Sequence, residues 1–136
     1  MKCKCGKRAV YFRKYEGTIL CRDCFIRSIE SKVKRTIRKH GMVRKGDTVV
    51  LALSGGKDST TAAYLIHRIF GQWKDVKLFA ITIDEGVKPY RTENIKKAKA
   101  FARELGLEHH IFSFKEEFGR TSDQIAKMIR ESDNPI

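Results

Sequence analysis

No stretch of this 136-residue chain reaches about 18 consecutive apolar residues, the length a membrane-crossing helix needs. Its first residues, MKCKCGKRAV, lack the apolar core of a secretory signal. No segment repeats, and no low-complexity linker interrupts the chain. Cysteine is missing after Cys24. Acidic residues are scarce at the start: residues 1–48 hold 15 Lys/Arg against 4 Asp/Glu, whereas residues 49–136 hold 14 against 12. These absences exclude a membrane-crossing helix and argue against an exported, disulfide-stapled chain. The expectation is a cytoplasmic protein with no membrane partner, in which clustered thiols stay reduced and bind metal. Most of the net charge of +13 lies ahead of the first long apolar run. Such a concentration attracts a polyanion, nucleic acid first, with a merely solvated basic helix as the plain alternative.

The cysteines that are present form two close pairs, Cys3/Cys5 and Cys21/Cys24, with fifteen residues between them. Two pairs brought together by a hairpin supply the four soft ligands of a tetrahedral Zn²⁺. The intervening KRAVYFRKYEGTIL reads as that hairpin, with a strand at Ala-Val-Tyr-Phe, a turn at Glu16-Gly17 and a strand at Thr-Ile-Leu. So small a piece buries little, and metal would supply its folding energy. Four protein ligands leave no open position, so the expected role is structural. From Asp23 to about His40, Phe25, Ile29, Val33 and Ile37 recur every fourth residue with Ile26 beside them. That is one apolar stripe of a helix whose other faces are basic. The expected organisation is a zinc module at 1–25, a basic linker helix at 26–46 and a nucleotide domain at 47–136.

Beyond Asp47 the periodicity switches repeatedly. Strands are expected at 48–53, 77–83 and 108–114, and helices at 60–70, 92–105 and 122–131. Strand–helix–strand units of this length imply a parallel, Rossmann-like α/β sheet with right-handed crossovers. In such sheets ligands bind beyond the carboxyl ends of the strands. Two polar clusters fall there, Ser54-Gly55-Gly56-Lys57-Asp58-Ser59 after the first strand and Asp84-Glu85-Gly86 after the second. Backbone N–H groups of a Gly-Gly turn, with a helix starting behind them, form a phosphate nest. The spacing is neither G-x-x-x-x-G-K-[S/T] nor G-x-G-x-x-G. Asp58 beside phosphate makes sense as a helix cap, or with Mg²⁺ between acid and phosphates.

SGGKDS directly after a strand resembles the pyrophosphate loop of the N-type ATP pyrophosphatases, the PP-loop superfamily. Members adenylate a substrate oxygen with ATP and release pyrophosphate. Within that superfamily the chain is similar to the tRNA 2-thiolation (2-thiouridine synthetase) family over essentially its whole length. The cysteine-rich N-terminus, the basic helix leading into the loop, and IDEGVKPYR after the second strand carry the likeness. The resemblance implies a zinc module followed by an adenine nucleotide alpha hydrolase domain. It implies ATP, Mg²⁺ and Zn²⁺ as cofactors, and tRNA and a ubiquitin-like sulfur carrier as partners. By the same resemblance, Ser54, Gly55, Gly56, Lys57 and Ser59 hold the phosphates of ATP, and Asp58 lies by phosphates and metal. Leu53 and Ile83 flank the adenine, Asp84 lies near the nucleotide, and Cys3, Cys5, Cys21 and Cys24 are the zinc ligands.

Two departures qualify the likeness. Cys3 and Cys5 are one residue closer than usual, and the family's downstream cysteines and second zinc module have no counterpart. The expectation is therefore the N-terminal portion of a longer enzyme, able to bind ATP but unable to complete thiolation alone. An iron–sulfur cluster would belong only to a longer chain, and no residue is assigned as catalytic. An open sheet edge would invite homodimerisation. A lysidine synthetase-like ligase and a non-catalytic ATP- or RNA-binding adaptor are the alternative readings.

His109 and His110 alternate faces, so at most one addresses the site. Trp73 reads as a loop anchor. Lys88, Tyr90 and Arg91 follow the second polar cluster, as ligand contacts or as a solvated loop.

Overall fold

The computed structural model describes residues 1–87 and 91–132, which divide into two compact units, 1–44 and 45–136. Lys88 and Tyr90 lie outside the described residues.

In the first unit β1 (Tyr11–Arg13) and β2 (Thr18–Leu20) form an antiparallel hairpin in the register Tyr11↔Leu20, Phe12↔Ile19, Arg13↔Thr18. A 3-10 turn over Lys14–Glu16 connects them. The helix α1 (Arg22–Lys39) follows at once, with Cys21 as its N-cap residue. Arg13 ties the hairpin to α1. Buried to 4% exposure, its guanidinium donates to Glu16 at 2.8 Å and to the Ser28 hydroxyl at 2.7 Å. Lys32 on α1 reaches the same Glu16 carboxylate at 2.6 Å. The Tyr11 and Phe25 rings meet edge-on with centroids 4.8 Å apart. An apolar stripe on α1 thus meets a hairpin held by aromatic contact and one shared carboxylate.

The second unit carries a three-stranded parallel sheet in the order β3 (Thr48–Ala52), β4 (Lys77–Asp84), β5 (Glu108–Ser113). Ala52 pairs with Ile81 and Ile81 with His110, so the three strands share one alternation of faces. The strands follow one another in sequence order, and α2 (Lys57–Phe70) and α3 (Arg91–Glu104) cover one face, as right-handed crossovers stepping in one direction demand. Leu51, Leu53 and Ala80 from the sheet side meet Ala63 of α2 and Ala98 and Ala102 of α3 there, flanked by Val49, Ile66, Phe101 and Leu107. The alanines let the helices approach closely. On the other face Val50, Ile83 and Phe112 remain about half exposed. A short α4 (Phe114–Phe118), which the periodicity does not announce, ends at Gly119, and α5 (Ser122–Ser132) follows. Among the described residues no helix is long and apolar enough to cross a membrane.

Candidate functional site

The chain leaves β3 through Leu53, whose N–H donates to the Ile81 carbonyl at 2.8 Å. It then turns at Gly55, where φ is +82°. A side chain at Gly55 would also run into the backbone carbonyl of Asn94 on α3. The glycine is therefore demanded twice, by the turn and by close backbone approach. Gly56 is the N-cap residue of α2, with no side-chain cap. The helix starts at Lys57, three residues earlier than expected, so Lys57, Asp58 and Ser59 are its first turn rather than loop. Their N–H groups are the ones a helix leaves without internal partners. Asp58 does not cap the helix; it pairs with Lys57 at 2.7 Å, with both side chains almost fully exposed. An acid in the first turn suits the positive end of the helix.

The loop braces itself through hydroxyls. Ser54 N–H donates to Ser59 Oγ at 3.2 Å, and the two serine hydroxyls lie 3.0 Å apart. Ser59 Oγ–H donates to the Gly56 carbonyl at 3.1 Å, as does Thr60 Oγ1–H at 2.7 Å.

A cavity of about 300 Å³ opens beside this loop, lined by Ser54, Thr82, Ile83, Asp84, Glu85, Gly86, Val87, Asn94 and Ile95. Of the two polar clusters singled out by the sequence, Asp84, Glu85 and Gly86 line this cleft together with Ser54, while Gly55, Gly56, Lys57, Asp58 and Ser59 are not part of its lining. Asp84 is buried and its Oδ1 accepts the Gly86 N–H at 3.0 Å, which fixes the second loop. Ile83 reaches the cleft half exposed. Leu53, at 2% exposure, is a core residue and is absent from the lining. No motif in the sequence singles out Thr82 or Asn94, which line the cleft, or Thr121. Thr121 packs on Gly86, and Ser122 N–H donates to the Glu85 carbonyl at 2.8 Å. Thr121 and Gln124 exchange hydrogen bonds of 2.8 and 3.3 Å, a capping box that T-S-D-Q would have disclosed. Of the two histidines, His109 faces inward and bonds the Thr82 hydroxyl at 2.8 Å. His110 pairs with Glu108 at 2.6 Å and is exposed. Trp73 is half exposed, edge-on to Phe70 at 5.0 Å.

In the first unit the sulfurs of Cys3, Cys5, Cys21 and Cys24 all lie within 4.8 Å of one another. Cys5 and Cys21 are 3.5 Å apart. Metal–sulfur bonds of about 2.3 Å in a tetrahedron space sulfurs about 3.8 Å apart, so the cage fits a metal ion. Its electrostatics agree. Backbone N–H groups of Cys5 and then Cys21 draw the Cys3 thiol down to about 6. Against the pull of the Lys7 N–H, the sulfurs of Cys21 and Cys3 push Cys5 up to about 11. The four sulfurs could all be thiolates at once only with a cation among them. Arg27 adds a guanidinium N–H to Cys24 Sγ at 3.3 Å.

A family model described as NAD synthase matches residues 25–134. One described as the N-terminal LIM domain of the 2-thiouridine synthetase TtuA matches residues 2–26. The tRNA 2-thiolation protein NcsA of Haloferax volcanii is 34% identical over 97% of this chain and 43% of its own length. The cytoplasmic tRNA 2-thiolation protein 1 of Drosophila sechellia is 34% identical over 98% of this chain and 39% of its own. Among solved structures, the U34-tRNA thiolase NcsA of Methanococcus maripaludis, described with its [4Fe-4S] cluster, superposes with a TM-score of 0.82. It is 38% identical, over 99% of this chain and 44% of that one. The chain belongs to the tRNA 2-thiolation family of the PP-loop superfamily. It spans about two fifths of the length of these relatives. The matches divide near the start of α1, where the cysteine-rich hairpin gives way to the helix.

Proposed function

We propose that this chain is the metal-binding and nucleotide-binding portion of a tRNA-modifying transferase that makes 2-thiouridine. The observation that carries the reading is the Ser54–Ser59 turn at the start of α2, whose Ser54 lines the cleft, in a chain of this family. ATP would lie with its phosphates on the N–H groups of that first turn, the Ser54 and Ser59 hydroxyls and Lys57. Its base would lie toward Ile83. The Asp58 carboxylate, free to swing from Lys57, would hold Mg²⁺, an oxygen-seeking ion bound through phosphates and one or two carboxylates. Zn²⁺ in the four-cysteine cage would hold the hairpin in shape.

The chemistry follows from a poor leaving group. The C2 oxygen of a uridine leaves badly as it stands. Transfer of AMP to that oxygen, with pyrophosphate released, makes it a good one. A sulfur nucleophile brought by a ubiquitin-like carrier then attacks C2, and AMP departs. The residues of this chain contribute placement and charge stabilisation. Neither of its site loops carries a cysteine, so the sulfur step draws on groups outside them. The basic first unit suits the tRNA backbone. Pyrophosphate release from ATP is the test. Release stimulated by tRNA supports the reading; ATP binding with no release at any tRNA concentration makes the chain an adaptor.

A further inference from the structure

His109 sits on the helix-covered face of β5, and its Nε2 is 2.8 Å from the Thr82 hydroxyl on β4. That hydroxyl is 2.7 Å from the Leu53 carbonyl oxygen. Thr82 has one proton and a carbonyl oxygen only accepts, so the proton goes to Leu53 and the imidazole donates through Nε2–H. The Leu53 carbonyl shares a rigid plane with the Ser54 N–H. That N–H donates to Ser59 Oγ at 3.2 Å. The Ser59 proton is directed to Gly56, so Ser54 Oγ–H donates to Ser59 across 3.0 Å. One directional chain thus runs from β5, across β4, into the two hydroxyls of the loop. Thr82 is 3% exposed, so its hydroxyl serves this chain rather than solvent. An apolar pair would fill the same space without reaching the loop.

We propose that His109 is a positioning residue of the loop: by donating to Thr82 it sets the Leu53–Ser54 peptide plane and so fixes where the Ser54 and Ser59 hydroxyls stand, ready to turn their protons from each other and from Gly56 toward an anionic ligand. The inference rests on the nucleotide reading of the cleft, and it adds a residue that touches no ligand. Burial, with Lys99 and His110 nearby, holds the His109 pKa below its ordinary value. That keeps the ring neutral, with a single proton to place.

Amide hydrogen exchange on the full-length protein without ligand, comparing wild type with His109→Leu and His109→Gln, tests this. His109→Leu should speed exchange at Ser54 about tenfold, the worth of one hydrogen bond, while the amides of β4 and the middle of α2 keep wild-type rates. His109→Gln, with a donor of similar reach, should restore the wild-type rate. Unchanged Ser54 exchange in folded His109→Leu overturns the proposal. Should His109→Leu fail to fold, Thr82→Val, which keeps the shape and removes the hydroxyl, replaces it under the same criterion. Calorimetric titration with Mg·ATP separates this inference from the reading beneath it. A wild type that binds no ATP removes the nucleotide reading, and the exchange comparison still decides the positioning. Wild-type binding with an unchanged Kd in His109→Leu overturns the inference alone; about tenfold weaker binding, rescued by Gln, supports it.

Discussion

Gly55 and Gly56 adjoin in sequence but answer to different constraints. Gly55 combines φ of +82° with the Asn94 carbonyl where a side chain would be. Gly55→Ala should cost about 2 kcal/mol or more in urea unfolding. Gly56 has φ −85°, and the nearest neighbour of a methyl group added there would be the Ser54 hydroxyl at 3.5 Å. Its replacement by Ala should cost about 1 kcal/mol or less. Equal costs would refute the account of the turn. Asp58 is a different kind of residue. Its side chain is 90% exposed and its partner Lys57 is 87% exposed, so the pair adds little to stability. Asp58→Ala should leave the melting temperature unchanged and abolish calorimetric binding of Mg·ATP. Unchanged affinity would sink the metal role assigned to it.

The hairpin and α1 form an element pair that depends on charge and metal together. Glu16 is held down to about 2, first by the Arg13 guanidinium and then by the Lys32 ammonium. A carboxylate depressed in the folded state stabilises it fully above the ordinary carboxylate range and loses that contribution as pH falls toward 2. The tyrosine signal of the hairpin in near-ultraviolet circular dichroism should therefore fade on acidification. Glu16→Gln should flatten that acid limb, and an unaltered profile would argue against the pairing. The cage should matter more than the ion pairs. Purified protein should hold about one equivalent of zinc, and chelation should unfold residues 1–44 while leaving the parallel sheet intact. Less than about half an equivalent, or a hairpin indifferent to chelator, would argue against a structural metal.

At the scale of the whole molecule, a charge of +13 is a statement about association rather than fold. Binding of tRNA should weaken steeply with salt, log K falling linearly with log salt concentration. Neutralising Lys34 and Arg38 together should make that slope shallower, by about one for each phosphate left without its cation. A slope that does not change would place the RNA surface elsewhere. The sheet sets a second boundary at this scale. Its strands run in sequential order with α2 and α3 on one side, and Val50, Ile83 and Phe112 stay about half exposed on the other.

The cysteine cage, the glycine turn ahead of α2 and the succession of strands and helices could all be read from the sequence. Each rests on residues near one another in the chain, where spacing and periodicity carry the signal. Cys3 through Cys24 announce a cage by residue type alone, and five apolar residues running into Ser-Gly-Gly announce a turn at the end of a strand. Boundaries were less legible: α2 begins at Lys57 because Gly56 takes the N-cap conformation, which composition does not reveal. Tertiary structure alone decided that Leu53 is core, that Thr121 packs on Gly86, and that Asn94 makes Gly55 obligatory. It alone joined His109, Thr82 and Leu53, residues 27 and 29 positions apart in sequence along successive links. Contacts of that span arise from sheet register and crossover handedness, which act between segments and leave no mark within any one of them.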